Sequence, residues 1–159
     1  MPNIKLETRI EAPLRVVFDL ARSIDLHVES TAGTREKAVA GRTTGLIGLG
    51  ETVTWEATHF GIRQRLTSKI VVFDPPHHFR DTMLSGAFKR LDHDHYFRWD
   101  GSQTVMTDQF DYTSPLGILG RVADWLFLER YLRKLLETRN ELIRSVAEEG
   151  ARIDELVAV

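Results

Sequence analysis

FKRLDHDHYFRWDGSQTVMTDQFDYTSP, residues 88–115, reads in succession as a strand, a tight turn, a second strand and the start of a helix. Over 88–99 the odd positions are Lys89, Leu91, His93, His95, Phe97 and Trp99, and the even positions are Phe88, Arg90, Asp92, Asp94, Tyr96 and Arg98. The odd set is the more apolar, so period two predicts a half-buried strand with that set facing the core. Asp100-Gly101 is a strong hairpin signal, because such turns need residues that accept positive φ. Residues 103–113 then alternate again, with Thr104, Met106, Asp108, Phe110 and Tyr112 on the inner face. Ser114-Pro115 ends the alternation: Ser can cap a helix and Pro suits its first position. Beyond it Trp125, Leu128, Leu132, Leu135, Leu136, Leu142, Ile143 and Val146 recur at helical spacing with charge opposite, and Gly150 is the expected stop. Some 30 residues at ~1.5 Å each give roughly 45 Å of helix, enough to lie across most of a sheet.

Upstream, Ile4, Leu6, Thr8 and Ile10 alternate with Lys5, Glu7, Arg9 and Glu11, which predicts a strand over 3–11. Ala12-Pro13 ends it. Val16, Val17, Leu20 and Ala21 predict a short helix over 14–21, and Ser23 is placed to cap a second one reaching Ser30. Strands are predicted near 35–42, 50–60, 62–74 and 77–84, separated by Gly45–Gly50, Gly61 and Asp74-Pro75-Pro76. Connections this short favour antiparallel neighbours in sequence order. The inner faces are then Val53, Trp55, Ala57 and His59; Leu66, Ser68, Ile70 and Val72; and Phe79, Asp81 and Met83.

Composition bounds the rest. The 159 residues, 42% hydrophobic and 28% charged, suit one domain with a sizeable core. A net charge of -2 argues against a generic nucleic-acid binder. The absence of cysteine excludes disulfides, thiol catalysis and Cys-based metal centres. No apolar run is long enough to span a bilayer and no signal-peptide pattern opens the chain, so a cytoplasmic protein without stable membrane insertion is expected.

Four segments carry a family likeness: Glu7-Thr8-Arg9-Ile10-Glu11-Ala12-Pro13 with Val16-Val17-Phe18; Asp74-Pro75-Pro76-His77-His78-Phe79; His93-Asp94-His95-Tyr96-Phe97; and Met106-Thr107-Asp108-Gln109-Phe110-Asp111-Tyr112. With the element order, they make the chain resemble the START-like (Bet v 1-like, SRPBCC) superfamily, the polyketide cyclase/dehydrase and lipid-transport group. The resemblance implies an α+β helix grip: a seven-stranded curved antiparallel sheet, two short helices after the first strand, and a long C-terminal helix. It places a ligand-binding domain at residues 1–150 and a tail at 151–159. It further implies a cavity for a small hydrophobic molecule, with no cofactor.

Neighbouring strands would bring Asp81, His93, His95 and Asp108 within cross-strand reach. Buried carboxylates need partners, and the histidines supply them. The group fits three roles: Asp–His pairs that hold the sheet in register, polar anchors for a ligand, or a general base and its orienting acid. The resemblance supports the last through cyclase, aromatase and dehydratase relatives, with His93 or His95 as base and Asp108 or Asp81 behind it. His93-x-His95 with Asp81, Asp108 or His59 also has the donor types of a metal shell, but the resemblance implies none and no metal is expected. The candidate ligand-binding set is Trp55, His59, Asp81, His93, His95, Asp108, Phe110, Leu128 and Leu132.

Other features carry less. Gly45-Leu46-Ile47-Gly48-Leu49-Gly50 leads into a strand, not a helix, so it reads as a flexible loop over the cavity mouth and not as a phosphate loop. His77-His78 reads as a surface turn, and Asp92 and Asp94 as solvated groups on the outer face. Surplus apolar residues at 125–128 mark either a homodimer contact or a pocket entrance.

Overall fold

The computed structural model describes the backbone of residues 2–157 and the side chains of all of these except 124, 125 and 152–157. Seven strands form one antiparallel sheet: β1 (Asn3–Ile10), β2 (Lys37–Gly41), β3 (Thr52–His59), β4 (Ile62–Asp74), β5 (His78–Ser85), β6 (Arg90–Trp99) and β7 (Thr104–Thr113). Their order is β1-β7-β6-β5-β4-β3-β2, a meander whose first strand closes beside the last. The helices α1 (Leu14–Ala21) and α2 (Ile24–Ser30) lie between β1 and β2, and Ser23 caps α2 by accepting from the Leu26 N–H. Among the described residues no helix is long and apolar enough to cross a membrane.

Phe18 of α1 is the centre of the main core. Its ring meets Phe73, Phe79 and Phe97 at 5.3–5.7 Å in tilted or edge-on contacts. Such pairs contribute about 0.5–1.5 kcal/mol each beyond area burial. Phe73 reaches this core through a bulge. The β4–β5 register runs Ile70↔Asp81 and then Val72↔Arg80, so one residue is extra on β4 and the side-chain alternation inverts. Val72, expected inside with Ile70, is therefore displaced from that face by Phe73. Trp99 also departs from expectation. It ends β6 beyond the cover of the helices and is 50% exposed.

The C-terminal helix differs at both ends from the sequence expectation. Leu116 and Gly117 have φ of 69° and 53°, so the chain cannot enter a right-handed helix at Pro115. Helix α3 (Gly117–Ala123) starts there instead, a π-helical segment (Asp124–Leu128) follows, and α4 (Glu129–Val157) continues. Gly120 permits the turn: a Cβ on it would lie 2.2 Å from the Pro115 carbonyl oxygen. At the other end the helix passes through Gly150 to Val157, so there is no break at the 150/151 boundary. A single helical glycine costs only about 1 kcal/mol, too little to end a helix unaided. The Trp125 side chain, at the head of the expected apolar stripe, lies outside the described residues.

Candidate functional site

The inner face of the sheet, the end of α1, α2 and α4 line a half-open cavity of about 230 Å³. Most of its wall is apolar, with Trp55, Leu66, Phe110, Leu132 and Leu136 as the large contributors. Polar groups are gathered at a few points, and the largest group is on the floor made by β5 and β6.

That floor follows from register. Asp81 pairs with His93, Phe79 with His95, and His95 in turn with Asp108. Because side chains alternate, Asp81, His93, His95, Asp108 and Phe110 all emerge on the inner side of three adjacent strands. His95 Nε2 is 2.9 Å from Asp81 Oδ2, and His93 Nε2 is 2.8 Å from Asp108 Oδ1. The two imidazoles overlap with centroids 3.7 Å apart, and His95 stacks on Phe79 at 4.1 Å.

Helix α4 completes the group with two residues that sequence reasoning missed. Arg139 Nη1 donates to Asp108 Oδ1 at 3.1 Å, and its Nη2 lies 3.2 Å from His95 Nδ1. Asn140 donates from Nδ2 to Asp108 Oδ2 at 2.7 Å and to Thr8 Oγ1 at 3.2 Å. Asp108, with none of its side chain exposed, thereby ties β6, β7 and α4 together. A signal existed in the sequence. Residues 136, 139, 140 and 143 follow the i, i+3, i+4, i+7 rule, so Arg139 and Asn140 occupy the buried stripe between Leu136 and Ile143.

The electrostatics sort three of these groups. Burial opposes ionisation of Asp108, but the Arg139 charge and the hydrogen bonds of His93 and His95 outweigh it and hold the carboxyl well below its ordinary range. Burial likewise opposes ionisation of Asp81, yet the His95 hydrogen bond and the His93, His95 and Arg139 charges keep it low. Burial, reinforced by His95, pushes His93 down to about 4 against the pull of Asp108 and Asp81. His93 is thus neutral at pH 7. Since the Asp108 carboxylate can only accept, the His93 proton sits on Nε2 and a lone pair remains on Nδ1. His93 Nδ1 and Asp81 Oδ2 are 4.0 Å apart, too far for a hydrogen bond. Asp81, with 23% of its side chain exposed, and His93 both line the cavity. The floor therefore presents acceptors at Asp81 and His93, with the Arg139 guanidinium beside them in the wall.

Asp81, His93 and His95 each offer a donor atom within 4.8 Å of the other two, as a metal ion would require. Two further histidines border the cavity. His59 Nδ1 is 2.7 Å from the Tyr131 hydroxyl, and burial lowers its pKa. His27, also missed from sequence, pairs with Glu36 at 2.6 Å and lies against Trp55 with ring centroids 4.2 Å apart.

Of the nine candidate ligand-binding residues, Trp55, His59, Asp81, His93, His95, Phe110 and Leu132 lie in the cavity wall. Asp108 does not; it lies behind the two histidines, where α4 covers it. Leu128 packs with the Leu91, Tyr112 and Leu136 cluster and is not among the described wall residues. The glycine-rich segment is tied down and not free as expected. Ile47 donates its N–H to the Arg22 carbonyl, Ile24 to the Gly45 carbonyl, and Gly50 to the Ile70 carbonyl. Ile47 itself is buried and closes one side of the cavity. On the outer face Asp94 is not merely solvated. Arg80 grips it with two 2.8 Å hydrogen bonds and His78 lies 2.7 Å away. His78 is also stacked on Tyr96, so it belongs to a built outer-face cluster and not to a loose turn.

No protein-family model matches the sequence, and no curated protein matches it. Solved structures do. A Thermus thermophilus protein, TTHA0849, superposes with a TM-score of 0.71 at 20% identity over 92% of this chain and 99% of that one. A Chromobacterium violaceum protein, CV1439, gives 0.69 at 11% identity over 92% and 96%. Ginseng major latex-like protein 151 from Panax ginseng gives 0.66 at 16% identity over 92% and 97%. Element order, strand register and these superpositions show a helix-grip fold, the fold shared with ginseng major latex-like protein 151.

Proposed function

We propose that this protein binds one small, largely apolar molecule in the cavity between the sheet and α4, with a hydroxyl or other hydrogen-bond donor of the ligand directed at Asp81 and His93. The observation that carries this reading is a largely apolar chamber whose floor presents the acceptors Asp81 and His93, with the buried Asp108 behind the histidines and Arg139 beside them in the wall. Binding sites for small molecules combine apolar walls with a few convergent polar groups in this way. At about 230 Å³ the chamber falls below the ~300–1,000 Å³ of drug-sized sites, which favours a compact ring system over a long acyl chain. The net charge of -2 accords with a neutral partner and not a polyanion. Exchange of such a ligand in the cytoplasm is compatible with a chain that has no cysteine.

The test is mass spectrometry of material released on denaturing the purified protein, followed by calorimetry with the released compound or with a panel of phenols and small polycyclic alcohols. Saturable one-to-one binding is expected, weakened about tenfold or more by Asp81→Asn and abolished by Ala57→Phe, which fills the chamber. Binding that survives Ala57→Phe in a folded protein would place the ligand elsewhere. Proton transfer is the second reading, favoured by the neutral His93 that faces the chamber beside an ionised Asp81. It predicts turnover of a polyketide-like substrate with a bell-shaped pH–rate profile, lost in His93→Ala.

A further inference from the structure

We propose that Asp81, His93 and His95 form a binding site for a divalent first-row transition metal, of which zinc is the type, with its open coordination positions facing the apolar cavity. Two imidazoles and one carboxylate are the donor set of many such centres, and imidazole nitrogen suits this class of ion over calcium or magnesium.

Placement comes first. All three side chains rise from the middle of paired strands, where register holds them: Asp81 lies directly across from His93, and His95 is two residues further along β6. Sites built on strands hold geometry better than sites on loops. Spacing follows. Asp81 Oδ2 is 2.9 Å from His95 Nε2 and 4.0 Å from His93 Nδ1. A tetrahedral ion with bonds of about 2.0 Å separates its ligand atoms by about 3.3 Å, between those two distances. The third pair, His93 and His95, offers donor atoms within 4.8 Å of each other, so seating an ion draws the three side chains together.

The groups behind the histidines strengthen the assignment. A metal-binding imidazole commonly donates its far N–H to a carboxylate, which fixes the tautomer and aims the lone pair. Here a single buried carboxylate stands behind both rings: Asp108 Oδ1 is 2.8 Å from His93 Nε2 and 3.2 Å from His95 Nδ1. For His93 the lone pair is already on Nδ1, toward Asp81. For His95 the metal-free arrangement has Arg139 donating to Nδ1 and Nε2–H donating to Asp81. Metal binding moves that one proton from Nε2 to Nδ1, 3.2 Å from Asp108 Oδ1, with no net proton gained or lost, and the Arg139 Nη2–H must turn away from Nδ1 while Nη1 keeps its bond to Asp108. The charges agree as well. Asp81 and Asp108 carry two negative charges against the single positive charge of Arg139, which lines the cavity beside the rings.

The experiment titrates chelator-treated, purified protein with Co²⁺ and then Zn²⁺. One equivalent of Co²⁺ should bind and produce the visible d–d absorption of a site with nitrogen and oxygen donors. Zn²⁺ should displace it, and a single equivalent should raise Tm. Asp81→Asn and His93→Gln, each checked for a native circular dichroism spectrum, should weaken Zn²⁺ binding at least tenfold. His78→Ala, on the opposite face, should leave binding unchanged. No stoichiometric binding by the wild-type protein, or binding that follows His78 and not His93, overturns the proposal. Either negative result leaves the apolar-ligand reading standing, since Ala57→Phe tests that reading without touching the three donors.

Discussion

Arg139→Met removes the guanidinium beside a fully buried carboxylate, and its cost can be worked from the contacts. Arg139 donates to Asp108 Oδ1 at 3.1 Å and to the Asn140 side-chain oxygen at 3.0 Å, and its side chain is only 7% exposed. Taking one partner from a buried pair typically costs about 3–5 kcal/mol, because the charge left behind is uncompensated. Asp108 would keep its hydrogen bonds from His93 and Asn140, and methionine would fill much of the space of the arginine stem, so the lower end applies: about 3 kcal/mol at pH 7. The measurement is urea unfolding followed by far-ultraviolet circular dichroism, comparing midpoints at constant slope. Asp108→Asn should be partly rescued in the double variant, with a coupling energy on the order of 1.5 kcal/mol or more. The arginine lost is the largest charge that holds the Asp108 carboxyl low, so the penalty should shrink as pH falls and Asp108 takes up a proton. A single variant within about 1 kcal/mol of wild type, or additive effects in the cycle, would refute a cluster built around Asp108.

Acid should destabilise the protein in a defined window. His93 titrates near 4 when folded and near its ordinary 6.5 when unfolded, so the unfolded chain binds more protons between those values. Stability is then complete above about pH 6.5 and falls by about 3 kcal/mol on the way to pH 4, at roughly 1.4 kcal/mol per unit. Half-buried His59 adds in the same direction, whereas the lowered Asp81 and Asp108 lose their contributions only below their ordinary 3.8. Stability measured from pH 4 to 8 checks this, and a flat curve, or one unchanged in His93→Gln, would contradict it. Gly120→Ala should cost about 2–4 kcal/mol, since its Cβ would collide with the Pro115 carbonyl; a loss under 0.5 kcal/mol, by the same unfolding assay, would mean the 115–120 turn is not as tight as described. Ile47→Ala should cost about 2–4 kcal/mol and enlarge the chamber, so larger apolar compounds should bind better than to wild type; calorimetry decides, and unchanged size selectivity would argue that Ile47 is no part of the wall.

The sequence by itself determined the architecture, because strand alternation, turn chemistry and helical spacing are local and redundant. Asp100-Gly101 and the alternation on either side of it specify the β6–β7 hairpin, and the same parity puts His93, His95 and Asp108 on one face of it. Two kinds of feature were not local. One residue of bulge in β4 exchanged Val72 for Phe73 inside, and a left-handed Leu116 moved the helix start, each a small backbone irregularity that periodicity averages away. The site's third dimension was the other. Strand parity shows which side chains share a face, but not which residues of a helix some thirty positions further on will come down upon them. Only tertiary packing brings Arg139 and Asn140 onto Asp108, turning what the sequence showed as an Asp–His group into a supported floor with two acceptors facing an apolar chamber. The physical reason is that a buried carboxylate must be neutralised, and the sequence does not say from which element the neutralising charge will come.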